Sequence, residues 1–329
     1  MKALITGGTG FIGSRLARHL LAEGKQVRIF GKTNTPAEEE NARLLREQGA
    51  EMVNGSITDR DAVEKAVRER DTVFHLAAAQ HEANIPDQVF WNVNVTGTEN
   101  LLAACVTHGV RRLVHGSTIG VYGSSIGGVI DENSPLKPDN IYGKTKLAGE
   151  QAALAFSNRM PVAAIRISET YGPGDRRLLK LFRGINTNRF FVIGSGKNLH
   201  HPVYIDDLVN GLLLAAEKKE AVGQIFLLAG PAPVTTSEMV REIVQALGKK
   251  PLSLRLPFLP FLVVAWLMEA TLKPLGIQPP LHRRRLDFFK KSFCLDTKKA
   301  SALLGFSPAT TFHDGAAKTA AWYKKQNLM

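Results

Sequence analysis

The segment Thr6-Gly7-Gly8-Thr9-Gly10-Phe11-Ile12-Gly13 constrains this chain more than any other stretch. Residues 2–6 before it read as a short apolar strand. Residues 14–23 after it read as a helix with Leu16, Ala17, Leu20 and Leu21 on one face, ended by Gly24 as a C-cap residue. A glycine loop between strand and helix is the context in which such a loop holds a dinucleotide. Gly7 allows the tight turn, Gly10 lets the backbone approach a pyrophosphate, and Gly13 permits close helix–strand packing. Thr9, Phe11 and Ile12 complete the loop. An anionic pyrophosphate would rest on unsatisfied N–H groups at the helix N-terminus.

The same alternation continues. Residues 27–30, 51–54, 72–76, 112–115 and 161–167 read as strands, and residues 38–47, 61–69 and 93–108 as helices. Repeated strand–helix units predict an α/β chain with a doubly wound parallel sheet, a Rossmann fold. The second half is less regular: strand-like 190–193, 203–205 and 225–228 are separated by helical 208–217 and 236–247. From Pro251 the chain is apolar and punctuated by proline, with a last helix near 313–324. The expected division is a dinucleotide-binding domain over 1–167, with a return near 203–230. Residues 168–329 then form a smaller, mixed, mainly substrate-binding domain.

In the usual dinucleotide fold an acidic residue closing the second strand binds the adenosine ribose and disfavours a 2′-phosphate. Here that place holds Gly31, followed by Lys32, so NADP is expected in preference to NAD. Further along, Tyr142 and Lys146 stand four residues apart in a helix-forming stretch, on one helical face. A free tyrosine, with a pKa of about 10, is a poor base at neutral pH, and a neighbouring ammonium favours its phenolate. Upstream, the strand 112–115 runs into GSTIGVYG. That places Thr118 or Ser117 at a strand C-terminus, the edge of an open parallel sheet where ligands bind.

Together these motifs resemble the extended branch of the short-chain dehydrogenase/reductase superfamily over nearly the whole chain. TGGTGFIG (6–13), FHLAA (74–78), NVNVTGT (92–98), STIGVYG (117–123), YGKTKLAGE (142–150), YGPGD (171–175) and HPVYIDDL (201–208) follow in family-like order. The resemblance implies a catalytic Thr118, Tyr142 and Lys146, and a cofactor site drawing also on Leu76, Ala77, Ala78, Ser56 and Ile57. The family often has Asp where Ser56 stands, and Pro where Ile167 follows Arg166. The C-terminal stretch from Pro279 to Pro308 is similar to 3β-hydroxysteroid dehydrogenases, dihydroflavonol reductases and related sugar epimerases. It implies a bulky, sterol-like, lipid or flavonoid-like substrate. The resemblance also implies a homodimer through the helices beginning near Val93 and Tyr142.

The expected chemistry is alcohol–ketone interconversion by hydride transfer, with Gln80 and His81 on the substrate side. A nucleotide-sugar epimerase or dehydratase retaining NAD would use the same triad. A cofactor-sensing protein without turnover would need neither Tyr142 nor Lys146. Other classes find little support. Two cysteines and the absence of metal-type spacing argue for a reducing compartment and no metal. Residues 1–5 run into the glycine loop without a signal-peptide pattern, so a cytoplasmic location is expected. The net charge of +12 is mostly dispersed, with local clusters at 282–285 and 290–291 and no nucleic-acid module around them. Peripheral contact with a membrane, through apolar 258–268 and the nearby arginines, stays open beside an ordinary packed helix.

Overall fold

The computed structural model describes residues 1–80, 85–123, 128–250, 255–272, 277 and 283–329. Strands β1 (Lys2–Thr6), β2 (Gln26–Gly31), β3 (Glu51–Asn54), β4 (Thr72–His75) and β5 (Arg112–Thr118) alternate with α1 (Phe11–Ala22), α2 (Pro36–Glu47), α3 (Arg60–Val67), α4 (Asp87–Trp91) and α5 (Gly97–Thr107). Helix α6 (Ile141–Ala155) precedes β6 (Val162–Ile167). Then come β7 (Thr170–Tyr171), α7 (Leu179–Asn186), β8 (Val192–Ile193), β9 (Leu199–His200), β10 (Val203–Tyr204), α8 (Ile205–Glu217) and β11 (Ile225–Leu228). The rest holds β12 (Val234–Thr235), α9 (Thr236–Leu247), β13 (Arg255–Leu256), α10 (Phe258–Leu272), α11 (Arg283–Lys290), α12 (Lys298–Leu304) and α13 (Phe312–Lys325).

Seven strands form one parallel sheet in the order β11-β6-β5-β4-β1-β2-β3. Its strands are apolar on both sides because helices cover both faces. On one face Ala3, Ile5 and Val114 pack with Leu16 of α1, Leu208 and Leu212 of α8 and Leu304 of α12. On the other, Leu4, Val73 and Leu113 pack with Val63 of α3 and Leu101 and Leu102 of α5. This is the doubly wound fold expected. A separate core joins α7, α9 and α13 through Phe182, Ile185, Met239, Ile243, Ala316 and Tyr323.

Several boundaries differ from the periodicity, each for a local reason. Helix α1 begins at Phe11, inside the glycine motif, because Gly10 is already its N-cap. The helix expected from Val93 starts at Asp87 and passes through a π-helical turn at Asn92–Thr96 before α5. Strand β5 continues to Thr118, paired with Ile167 of β6. Of 190–193 only Val192–Ile193 is strand. Capping boxes set two helix starts: Thr35 with Glu38 for α2, where Pro36 takes the first turn, and Thr235 with Glu238 for α9.

Helix α6 is tied to the sheet by a buried ion pair. Arg166 of β6 and Glu150 of α6 are each 1% exposed and meet at 2.7 Å. The guanidinium also donates to the Tyr122 hydroxyl (2.6 Å) and the Glu132 carbonyl (3.0 Å). Removing one partner of such a pair leaves an uncompensated charge, at a cost of about 3–5 kcal/mol. Urea denaturation of Glu150→Gln should show a loss of about that size, and the apolar double replacement Arg166→Met/Glu150→Leu should recover much of it. A Glu150→Gln protein as stable as the parent would show that the pair anchors nothing.

Candidate active site

The glycine loop is shaped by sterics. Gly7 has φ +67°, and a Cβ there would come within 2.8 Å of the Ala77 backbone nitrogen. A Cβ on Gly13 would lie 2.4 Å from the Gly7 carbonyl oxygen, so α1 packs against its own loop. Both positions require glycine. The turn is closed by Gly7 N–H donating to Phe30 O (3.0 Å) and Gly10 N–H donating to Gly7 O (3.1 Å).

From this loop a cleft of roughly 610 Å³ runs along the carboxyl ends of the strands. That lies within the range of about 300–1,000 Å³ usual for ligand clefts. Its walls include Gly7, Thr9, Gly10, Phe11, Ile12, Gly13, Lys32, Ser56, Ile57, Leu76, Ala77, Ala78, Gln80, Thr118, Tyr142 and Lys146. Every residue singled out from the sequence therefore borders one space, except His81, which lies outside the described residues. The cleft is also lined by Gly31 and the exposed Lys32, and by Glu38 of α2. One oxygen of its carboxylate accepts from the Asn34 and Thr35 backbone amides.

A chain of buried hydrogen bonds holds the walls together. The Thr98 hydroxyl donates to Asn94 O (2.8 Å), so it must accept from His75 Nε2 (2.9 Å). His75 Nδ1 is then the acceptor for the Thr6 hydroxyl (2.7 Å). Burial holds this imidazole neutral, pushing its pKa down to about 3. The neighbouring ring of His115, 5.2 Å away, is also driven well below the usual histidine range by burial. Asn94, on the π-helical turn, accepts from Ala79 N–H (2.8 Å) and donates to Ala79 O (3.2 Å) and Thr145 Oγ1 (3.0 Å). The loop after β4 is thereby fastened to α6, close to Tyr142.

Asn140 caps α6 by accepting from Gly143 N–H (2.9 Å), and the next two turns present Tyr142 and Lys146. Lys146 is buried and donates to the Gly116 carbonyl at 2.5 Å. Burial lowers its pKa to about 8, against the opposing pull of Glu150. Thr118, whose hydroxyl accepts from Gly120 N–H (3.1 Å), lies beside Tyr142. Desolvation raises the phenol to about 12, while the Arg177 charge and the Thr118 bond act to lower it. Ser117, the other candidate hydroxyl, is buried and has no hydrogen-bond partner among the described residues. It too borders the cleft, but it is Thr118 that acts on the Tyr142 phenol, favouring its ionised form.

Sequence reasoning missed the far wall. Glu169, Asp175, Arg176 and Arg177 follow β6 and border the same cleft. Asp175 is buried and accepts from Arg177 N–H (2.8 Å); Arg176 and Arg177 are exposed. Glu169 pairs with buried His200 (3.1 Å), whose Nε2 also meets Thr236 Oγ1 (2.9 Å). The Glu169 charge raises the His200 pKa against the effect of its burial. The adjacent His201 turns elsewhere, toward Gly230 O and Leu295 N–H. Among the described residues no group of three or more His, Cys, Asp or Glu could hold a metal ion. No helix there is long and apolar enough to cross a membrane.

Comparison with known proteins agrees with this geometry. The chain is 29% identical, over 96% of its length, to a 3β-hydroxysteroid-dehydrogenase/decarboxylase of Arabidopsis thaliana, of which it spans 61%. It is 31% identical to a dTDP-glucose 4,6-dehydratase of an Actinoplanes species, over 98% of both chains. The structure of a Streptomyces venezuelae dTDP-glucose 4,6-dehydratase with NAD bound superposes with a TM-score of 0.81 at 27% identity, over 99% of this chain and 98% of that one. Residues 3–229 match the NAD dependent epimerase/dehydratase family. The chain belongs to that family, within the extended short-chain dehydrogenases/reductases, and its class is that of NAD-dependent enzymes acting on CH–OH groups.

Proposed function

We propose that this protein interconverts an alcohol and a ketone on a bulky, largely apolar substrate. The observation that carries the reading is the Thr118–Tyr142–Lys146 cluster, set at the end of the cleft that begins at the glycine loop. The cofactor supplies or accepts hydride at the substrate carbon. Tyr142 gives a proton to the carbonyl oxygen in reduction and takes it from the hydroxyl in oxidation. Thr118 holds that oxygen, and the positive charge of Lys146 on the same helical face adds to that of Arg177 in favouring the phenolate. Gln80 faces the substrate side, and the chain beyond Ile167, apart from its return in β11, is taken to hold the substrate.

NADP is the preferred cofactor in this reading, because Lys32 follows Gly31 where a carboxylate would repel a 2′-phosphate. The structural relative above holds NAD, so cofactor choice is a property for this chain's own residues to decide. Two copies are taken to pair through the helices beginning near Val93 and Tyr142, and peripheral contact with a membrane belongs to the same reading. Nucleotide-sugar epimerisation or dehydration is the second reading. Arg176 and Arg177 on the far wall favour it, since a nucleotide sugar brings a diphosphate that needs cations. Tightly bound NAD in the purified protein, with turnover of nucleotide sugars and none of sterols, flavonoids or keto lipids, would establish this second reading.

Tyr142→Phe should lower turnover by about 10²–10⁴-fold while cofactor affinity, followed by nicotinamide fluorescence, is kept. Turnover at the parent rate would remove Tyr142 from the chemistry. Lys146 offers a second test with an opposite sign in stability. Its pKa falls from 10.5 to about 8 on folding. The folded protein therefore disfavours the charged form, by about 3 kcal/mol at neutral pH. That penalty is full below pH 8 and fades as pH rises toward the unfolded value. Lys146→Met should abolish turnover, yet the cofactor-free protein should melt no lower at pH 7. A matching fall in melting temperature would make Lys146 a structural residue. Finally, Lys32→Glu should shift preference from NADP to NAD; equal affinity of the unaltered protein for both cofactors would overturn the NADP assignment.

A further inference from the structure

Helix α10, Phe258–Leu272, is apolar on both faces, and only one is covered. Phe258, Phe261, Leu262 and Ala265 pack on Ile193, Phe191, Leu286 and Phe289. The opposite face consists of Leu259, Pro260, Val263, Val264, Trp266, Leu267, Ala270 and Thr271, all exposed. Leu259 is 68% and Trp266 54% exposed. The only hydroxyl there, on Thr271, donates back to the Leu267 carbonyl (2.9 Å) and offers nothing outward. Glu269, the one charged residue of the helix, is buried on the covered side, so the outward face carries no charge; an apolar face of this kind belongs against a protein core or lipid, and this one lies at the surface.

Its length excludes a crossing. Fifteen residues make about 22 Å of helix, short of the roughly 30 Å hydrocarbon layer. Such a helix lies along an interface, with its apolar side among acyl chains and tryptophan at headgroup depth. The surroundings are cationic. Arg255 precedes the helix on β13, Lys290 ends α11 behind it, and Arg189 adjoins Phe190, which stacks on Phe289. All three are exposed, and none is in an ion pair among the described residues. Helix α11 also opens with three consecutive arginines, and the chain carries a net charge of +12.

We infer that the outward face of α10 docks on an anionic lipid bilayer. Packed side chains join this helix to the cleft wall. Phe288 of α11 packs its ring 4.6 Å from that of His200, and His200 pairs with Glu169 in the cleft wall. A docked molecule holds its substrate wall beside the lipid, so the inference deepens the apolar-substrate reading above and rests on it for its purpose. Its test uses no turnover, so the two can fail separately.

The protein is floated with vesicles of phosphatidylcholine alone and with vesicles containing one third phosphatidylglycerol, at low and high salt. Expected is co-flotation with the anionic vesicles, weakened by salt, and quenching of tryptophan emission by brominated acyl chains that disappears in Trp266→Phe. Leu259→Glu/Val263→Glu should reduce vesicle binding by about tenfold or more while cofactor affinity and melting temperature stay unchanged. No flotation with anionic vesicles at low salt overturns the proposal. So does flotation that the double variant does not weaken. If the unaltered protein stays free of lipid and the double variant instead dissociates a dimer in sedimentation, the face is a contact between two copies and the proposal falls.

Discussion

The buried pair of Arg166 and Glu150 is the constraint on which the site depends. Helix α6 carries Tyr142 and Lys146, and it must sit over β5 at a fixed height for Lys146 to reach the Gly116 carbonyl. Glu150, one turn beyond Lys146, is held to β6 by Arg166 through both carboxylate oxygens. The same guanidinium binds the Tyr122 hydroxyl, which in turn donates to Asp131 O (2.8 Å). Glu132 beside it accepts from Leu227 N–H of β11. One cation thus fixes a helix, a turn and the last sheet strand relative to each other. A buried salt bridge is poor evidence of net stability, but it does specify a single arrangement here.

The electrostatics around Lys146 follow from what is neutral. His75 and His115 are the two large polar side chains beneath the pair, and burial keeps both uncharged. The carboxylate that acts on Lys146 is Glu150, already engaged by Arg166. The ammonium, donating to the Gly116 carbonyl and bordering the cleft, is therefore only partly compensated. That same exposure to an apolar interior weakens its hold on the proton. Strain and purpose coincide at one side chain, as preorganised charges in water-excluded sites require.

The sheet and the glycine loop were legible because local sterics dictate them: Gly7 and Gly13 have room for no other residue, and apolar runs of strand length have few alternatives. Tyr142 and Lys146 stood out by helical spacing, while the strand end offered Thr118 or Ser117 and only the family resemblance chose Thr118. The π-helical turn was not legible. One extra residue in a helix leaves the apolar periodicity nearly intact, yet it is what turns Asn94 toward Ala79 and Thr145. The far wall was hidden for another reason. Glu169, Arg176 and Arg177 occupy irregular backbone after β6, and only contacts with distant segments show where they face: Glu169 meets His200 of β9, and Arg176 lies over Trp322 of α13. In α10 the composition was plain, but which side is covered depends on Leu286 and Phe289, encoded after the helix itself.

The order of strands has a consequence for how this chain is made. Strand β6 pairs on one side with β5 and on the other only with β11, so its second edge stays open until synthesis has passed Leu228. An open, largely apolar parallel strand is a template for wrong partners. The intervening stretch includes α8, which covers β5 and β6 from one face before β11 arrives. A polypeptide ended after Ile167 would hold every residue of the glycine loop and the Thr118–Tyr142–Lys146 cluster, and still leave the sheet unfinished. Completion of the sheet that carries the site is thereby made conditional on the chain that follows Ile167.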